Sequence, residues 1–285
     1  MINMDKILLA DSGTGQSEAM LKFLMDIPLF QRALVTVLHV VPPQVTAEAM
    51  TSKWEEGGKT LARAMQSLQL DPDRSSAMLR EGDPKDVVCR VAEETDANLI
   101  IMGSRGLKRL QSILENSVSQ YVFQLASRPM LLVKDDIYVK KIRKVLVTID
   151  RSESAQQAFQ LATAIVKDIK NSELILVHVN TDLKSIPDAP TDNPESDPVL
   201  APAVAEARRM GLKYRCEAPS GKPGARICAL AEDQDVDLLV MGSPEGRPSI
   251  ARGLPDLDRL LGQSLSDYVR VYAPCPVMLV RLPGE

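Results

Sequence analysis

Short apolar runs alternate with amphipathic stretches along the whole chain. In the first half the runs fall at 7–10, 34–41, 77–80, 99–102 and 130–133. In the second half they fall at 145–149, 174–179, 213–216, 238–241 and 277–281. Apolar character unbroken over four to eight residues predicts strands covered on both faces. The stretches between them carry helical patterns. Ser17 is placed to cap a helix bearing Met20, Leu21, Leu24 and Met25, and Asp83-Pro84 opens another with Val87, Val88, Val91 and Ala92 on one face. Proline is tolerated in that first turn because its missing N–H would have had no helical partner. Strand and helix in alternation predict right-handed βαβ units. The expectation is an α/β fold of two doubly wound, flavodoxin-like, five-stranded parallel-sheet domains. In such sheets ligands sit beyond the carboxyl ends of the strands, where the strand order reverses.

The two halves repeat one another. Leu-Ile-Ile-Met-Gly-Ser-Arg-Gly at 99–106 is echoed by Leu-Leu-Val-Met-Gly-Ser-Pro-Glu-Gly at 238–246. Asn-Ser-Val-Ser-Gln-Tyr-Val at 116–122 is echoed by Gln-Ser-Leu-Ser-Asp-Tyr-Val at 263–269, and Lys-Ile-Leu-Leu-Ala-Asp at 6–11 by Lys-Val-Leu-Val-Thr-Ile-Asp at 144–150. A period of roughly 140 residues is the size of a whole domain, not of a solenoid repeat. The expected domains are therefore 1–137 and 138–285, joined at a short charged connector, 135–143. That connector is not rich in Gly and Ser, so the halves are expected to pack together. Two segments break the symmetry. Residues 184–203 are rich in proline and acid and read as a mobile surface loop, and 244–259 lengthen the second repeat.

Composition removes several classes of function. A formal net charge of −4 argues against non-specific binding of nucleic acid or anionic membrane. A single tryptophan, Trp54, offers no base-stacking surface. No apolar run approaches the ~20 residues of a membrane span. The N-terminal residues lead directly into a strand without a signal-peptide core. Cys89, Cys216, Cys228 and Cys275 are scattered without CxxC spacing, which predicts reduced thiols and a cytoplasmic location.

The chemistry concentrates around the repeated glycines. A strand ending in Gly103-Ser-Arg-Gly106 can turn sharply and let a ligand approach its backbone. Ser117 is a good N-cap for a helix holding Val118, Val122 and Phe123, and Ser119 adds a hydroxyl. The N-terminus of such a helix offers free N–H groups and partial positive charge to a phosphate. Gly-x-x-Gly alone is weak, since a tight turn explains it equally well. The whole constellation is more specific: an acid ending the first strand, His-Val ending the second, Met-Gly-Ser-Arg-Gly, a nine-residue spacer, then Asn-Ser-Val-Ser.

On these residues, both halves resemble the universal stress protein family over essentially the whole chain. The resemblance implies two adenine-nucleotide-hydrolase-like domains in a pseudo-twofold arrangement. It also implies a site for ATP, AMP or another adenine nucleotide, with Mg accompanying the phosphates, and no other cofactor. Adenine would meet the Val40 backbone. Ribose would meet the first-strand acid, Asp11 or Ser12, and the Met102–Gly103 backbone. Phosphates would meet Gly106, Ser117, Val118 and Ser119, with Arg105 able to steer them or simply to lie on the surface. Three departures from the family pattern stand out. Asn116 replaces the glycine of the second motif, although Asn tolerates a left-handed backbone better than other residues. Asp11 comes one residue early, leaving Ser12 at the usual acid position. In the second half Gly242 and Gly246 are one residue too far apart and Gln263 stands at the glycine position. Asp150, Val179, Met241, Ser264 and Ser266 there mark a degenerate second site.

His39 and His178 are equivalent by repeat, and a packed or hydrogen-bonded histidine is the preferred reading; no cluster of metal-ligand spacing accompanies them. No Ser-His-Asp or Cys-His arrangement appears, and nothing near 103–119 supplies both a metal-holding carboxylate and a group to position a nucleophile. Three functions remain open: a nucleotide-responsive stress regulator read by a protein partner, a nucleotide-independent adaptor, and a slow ATPase. Family members commonly pair through the last strand, which allows a homodimer or pairing within the chain.

Overall fold

The computed structural model describes residues 3–104, 118–181, 193–243 and 264–281. The chain divides into two compact units, Asn3–Val139 and Lys140–Glu285.

Unit 1 contains β1 (Lys6–Ala10), α1 (Gln16–Met25), β2 (Leu34–Val41), α2 (Ala47–Leu68), β3 (Ser75–Glu81), α3 (Pro84–Glu94), β4 (Leu99–Ser104), α4 (Val118–Leu125) and β5 (Met130–Lys134). Its strands run parallel in the order β3-β2-β1-β4-β5. The order reverses between β1 and β4, the position at which the sequence pattern places a ligand. Leu8, Leu9, Ile100, Ile101 and Leu131 are fully enclosed because helices cover both faces of these central strands. β3 differs for a physical reason. It is the edge strand, mostly half-buried or exposed, and so it is polar where the inner strands are apolar.

The start of α1 corrects one expectation. Gly15, not Ser17, occupies the cap position, with φ at 83° and no side-chain cap. Gly13 also has positive φ, at 80°. Two residues in the left-handed region carry the chain around the end of β1, and only glycine adopts that region without cost. Ser17 falls inside the first turn, fully buried, and among the described residues its hydroxyl has no partner. Asp83 does cap α3, accepting from the Lys85 N–H at 2.9 Å with Pro84 in the first turn.

Unit 2 contains β6 (Lys144–Thr148), α5 (Glu153–Val166), β7 (Glu173–Val177), α6 (Ala201–Arg209), β8 (Tyr214–Glu217), α7 (Pro223–Asp233), β9 (Leu238–Gly242), α8 (Leu265–Tyr272) and β10 (Val277–Val280). Its strands are also parallel, in the order β10-β9-β6-β7-β8, which is the order of unit 1 repeat for repeat. Here Ser152 caps α5, its hydroxyl accepting from the Ala155 N–H at 3.1 Å.

The expectation of a mobile loop over 184–203 is overturned for its described part. Pro194–Ser196 form a 3-10 turn, Leu200 is fully buried, and α6 begins at Ala201. Asp197 anchors this segment. One carboxylate oxygen accepts from His178 Nδ1 at 3.0 Å, and the other accepts the N–H groups of Val199 and Leu200 at 2.7 and 3.2 Å. Acidic composition signalled exposure, but one acid satisfied by three donors can hold a turn down. The remainder of that stretch and all of 244–259 lie outside the described residues.

Two stability predictions follow from this packing. Burial alone would raise the Asp197 pKa, but the His178 bond and the two backbone donors outweigh it and hold the carboxyl below its ordinary value. A depressed carboxyl stabilises the fold above its unfolded pKa of about 4 and loses that contribution as pH falls through the folded value. Asp197→Ala should therefore cost about 1–2 kcal/mol in urea unfolding at pH 7, with the gap to wild type closing as pH drops below about 4. The equivalent glycines of the two units should also respond differently to a methyl group. A Cβ on Gly242 would stand 2.4 Å from the Ala155 nitrogen and 2.5 Å from the Ser154 carbonyl carbon, whereas on Gly103 the nearest atom is the Ser12 hydroxyl at 3.4 Å. Gly242→Ala should destabilise by about 1–3 kcal/mol, and Gly103→Ala should be close to neutral in the same measurement.

Candidate functional site

The carboxyl ends of β1, β2 and β4 border a cleft of about 550 Å³ in unit 1. The β1 loop contributes Asp11, Ser12 and Thr14; β2 contributes His39, Val40 and Val41; α2 contributes Lys53, Glu56, Gly57 and Thr60; β4 contributes Met102, Gly103 and Ser104; and the first turn of α4 contributes Val118 and Ser119. Seven sequence-predicted residues thus converge on one cavity: Asp11, Ser12, Val40, Met102, Gly103, Val118 and Ser119. Arg105, Gly106, Asn116 and Ser117 lie outside the described residues.

The register of β1 answers which residue takes the acid's place. The Asp11 N–H donates to the Leu38 carbonyl at 2.8 Å, and the Ile149 N–H donates to the Val177 carbonyl at 2.7 Å. Asp11 is therefore the structural mate of Ile149, an inward apolar position, and Ser12 is the mate of Asp150. Asp11 still faces the cleft. Its Oδ1 accepts from the Gly13 N–H at 2.9 Å, the turn that Asp150 makes with the Ser152 N–H at 2.7 Å one residue further along. Its Oδ2 is buried and has no partner among the described residues. A buried acceptor without a donor is costly, and a ligand hydroxyl or amino group would relieve it. Burial and the Asp11 charge together raise the nearby Glu18 carboxyl above its ordinary range, against the Ser67 hydroxyl, Lys22 and Arg63.

His39 fixes this loop. Its Nδ1 lies 2.9 Å from the Asp11 carbonyl oxygen. Since a carbonyl only accepts, Nδ1 must carry the proton. α2 lies close over the ring. A Cβ on Gly57 would come within 2.9 Å of Val41 Cγ2 and 3.1 Å of His39 Cδ2, so this helix has glycine where it crosses β2. Among the described residues, no cluster of three His, Cys, Asp or Glu side chains is arranged to hold a metal ion.

The structure also brings in residues that the sequence reading missed. Ser104 is nearly buried, lines the cleft, and its hydroxyl has no partner among the described residues. It lies inside the repeated Met-Gly-Ser motif, where the adjacent glycine carries the stronger sequence signal. Lys53 and Glu56 form a 2.6 Å ion pair at the mouth. Their helical spacing is visible in the sequence, but the packing of α2 over the carboxyl edge of the sheet is tertiary.

In unit 2 the corresponding residues are used internally. Gly242 is pressed against the first turn of α5. Met241 is buried in β9, Val179 lies past the end of β7, and Asp150 is exposed. His178 is tied to Asp197 rather than to the β6 loop. Ser264 caps α8, its hydroxyl accepting from the Asp267 N–H at 3.2 Å, and Ser266 is buried behind it. Gly246 lies outside the described residues.

Among the described residues no helix is long and apolar enough to cross a membrane. Comparison with known proteins agrees with the fold. The universal stress protein family profile matches twice, at residues 3–134 and 141–281. Universal stress protein YxiE of Bacillus subtilis is 27% identical over 146 residues, which is 46% of this chain and 99% of that protein. A universal stress protein structure from Archaeoglobus fulgidus superposes with a TM-score of 0.75 at 22% identity, covering 99% of this chain and 98% of its own. A family protein of Arabidopsis thaliana, described with AMP bound, is 22% identical over 50% of this chain and 93% of its own, with a TM-score of 0.35. Two parallel α/β units of the same strand order, each matched by the same profile, establish that the chain belongs to the universal stress protein family and carries two of its domains in tandem.

Proposed function

We propose that this protein is a stress-response regulator that binds an adenine nucleotide, ATP or AMP, in the cleft of unit 1 and not at the equivalent place in unit 2. The observation that carries this reading is the convergence of Asp11, Val40, Gly103 and Ser119 on a single cleft at the switch point of a doubly wound sheet. Each offers what a nucleotide requires. Val40 brings backbone polar groups to a base edge. Asp11 holds a buried acceptor oxygen toward ribose hydroxyls. Gly103 leaves the β4 backbone open, and the α4 first turn with Ser119 faces a phosphate. Any Mg would arrive on the phosphates, since Mg²⁺ takes one or two protein carboxylates and keeps waters. None of the four cysteines is in a disulfide among the described residues, in keeping with the cytoplasmic location expected from the sequence.

One observation favours a second reading, an adaptor that ignores nucleotide. Leu265, Tyr268 and Tyr272 lie partly exposed along α8, the two tyrosine rings 4.4 Å apart. Partly exposed aromatics in a row are what a protein partner anchors on.

Titration of ATP, AMP and GTP into the full chain, by calorimetry and thermal unfolding, separates the two. The nucleotide reading expects saturable adenine binding, stabilising by about 2.7 kcal/mol at a hundredfold excess over Kd. No heat and no thermal shift with either adenine nucleotide at millimolar concentration would leave the adaptor. If nucleotide binds, Asp11→Ala should weaken it about tenfold, the scale of one hydrogen bond to a charged group. Asn116→Gly should tighten ATP binding by restoring the family's glycine beside the phosphate path. An unchanged ATP affinity in Asn116→Gly would show that Asn116 does not obstruct that path.

A further inference from the structure

The helices that begin the phosphate end of the two units differ at two buried positions. In α4 the residues are Gln120 and Phe123; at the same places in α8 they are Asp267 and Arg270. All four are more than nine-tenths buried. A neutral pair has thus become a buried pair of opposite charges within one helical turn.

The hydrogen bonds around Asp267 run in one direction. A carboxylate only accepts, so Ser264 Oγ, 2.9 Å from Asp267 Oδ2, must donate to it. Its proton being committed, Ser264 must accept from Ser266 Oγ at 3.1 Å, and Ser266 in turn accepts from Ser243 Oγ at 3.4 Å. Only Ser264 meets the carboxylate itself; Ser266 and Ser243 stand behind it in a relay that runs from just past β9 to the start of α8. From the other side Arg270 Nη2 donates to Asp267 Oδ1 at 3.3 Å. That bond is long for a charged pair. The guanidinium reaches back toward the first turn of its helix, 94% buried, and its Nε has no partner among the described residues. Burial pulls the Arg270 pKa down against the pull of Asp267, as expected for a cation short of donors' partners. An under-bonded buried guanidinium, a hydroxyl donor backed by a relay of two more and a helix N-terminus together recognise an oxyanion.

We propose that unit 2 holds an anion site that the chain fills itself, with the Asp267 carboxylate standing where a phosphoryl group would be bound by Arg270 and the Ser264 hydroxyl, the Ser266 and Ser243 hydroxyls relaying behind it. The ligand class that fits once the Asp267 carboxylate is replaced is a small tetrahedral oxyanion, free or as the phosphoryl group of a larger molecule. A pair serving stability alone would close its guanidinium with shorter bonds, because buried ion pairs gain little otherwise. The proposal stands independently of nucleotide binding in unit 1.

The test uses the full chain, inorganic phosphate as probe, and chloride at equal ionic strength as control. Asp267→Gln gives unit 2 the residue that unit 1 has, and leaves Arg270 without its counter-ion. Its melting temperature in chloride should fall below that of wild type. Phosphate at a hundredfold excess over its Kd should raise it by about 5 °C or more, a gain that wild type lacks. The double variant Asp267→Gln with Arg270→Phe restores the Gln–Phe pair of unit 1, so it should fold without phosphate and show no such gain. It also subtracts any phosphate bound in unit 1. A folded Asp267→Gln protein with no phosphate-dependent shift overturns the proposal, as does an equal shift in the double variant. If Asp267→Gln fails to fold in chloride, recovery of native circular dichroism in phosphate supports the site, and failure to recover overturns it.

Discussion

A parallel sheet covered on both faces leaves no strand position for polar chemistry. In unit 1 the interior strand residues are hydrocarbon because helices close over both sides, and a polar group there would be desolvated without a donor. Polar side chains gather instead where the strands end. Asp11, His39, Ser104, Asp150, His178 and Ser243 all stand in the last turn of a strand or just past it. The site is a consequence of this sorting. Its residues come from distant parts of the sequence because strands adjacent in the sheet are not adjacent in the chain.

Most of the fold could be read from the sequence for the same reason. Apolar runs marked the inner strands β1, β2 and β4, and the buried β5 as well, since burial on both faces favours little else. The pattern was weakest at the edge: β3 extends to Ser75 and Glu81 beyond its short apolar core, and β7 stops at Val177 although the run continues to Val179. Side chains cannot report where a ladder loses its partner. Helix starts were legible when an acid preceded proline, as at Asp83, and not when two glycines turned the chain, as before Gln16. The candidate site was half legible. Val40, Met102 and Gly103 sit where the motif placed them, but Lys53 and Glu56 reach the cleft through the packing of α2, which no local pattern encodes.

The two units show how small changes redirect one architecture. Asp11 and Asp150 make the same carboxylate-to-backbone turn, offset by one residue. In unit 1 the offset moves the acid from the exposed position to the inward one and leaves an oxygen unpaired beside the cleft. The paired histidines diverge in the same way. His39 ties β2 to the neighbouring β1 loop and leaves the space beyond β2 to α2; His178 ties β7 to Asp197 and draws a turn of chain over its own strand end. Neither difference alters the sheet. Each alters only which polar group is left to be satisfied, and by what.

That economy accounts for the persistence of Ser-x-Ser at the start of both final helices while their surroundings differ. In unit 2 the Ser264 hydroxyl is committed to Asp267 and the Ser266 hydroxyl to Ser264, so their hydrogen bonds are made inside the fold. In unit 1 the same helix start carries Gln120 in place of the acid, no carboxylate stands at that position, and Ser119 lines an open cleft. A buried hydroxyl is retained where something accepts from it. Within the chain, one repeat supplies that acceptor as an aspartate side chain. The other carries the Gln120 amide at that position and sets Ser119 on the wall of a cleft.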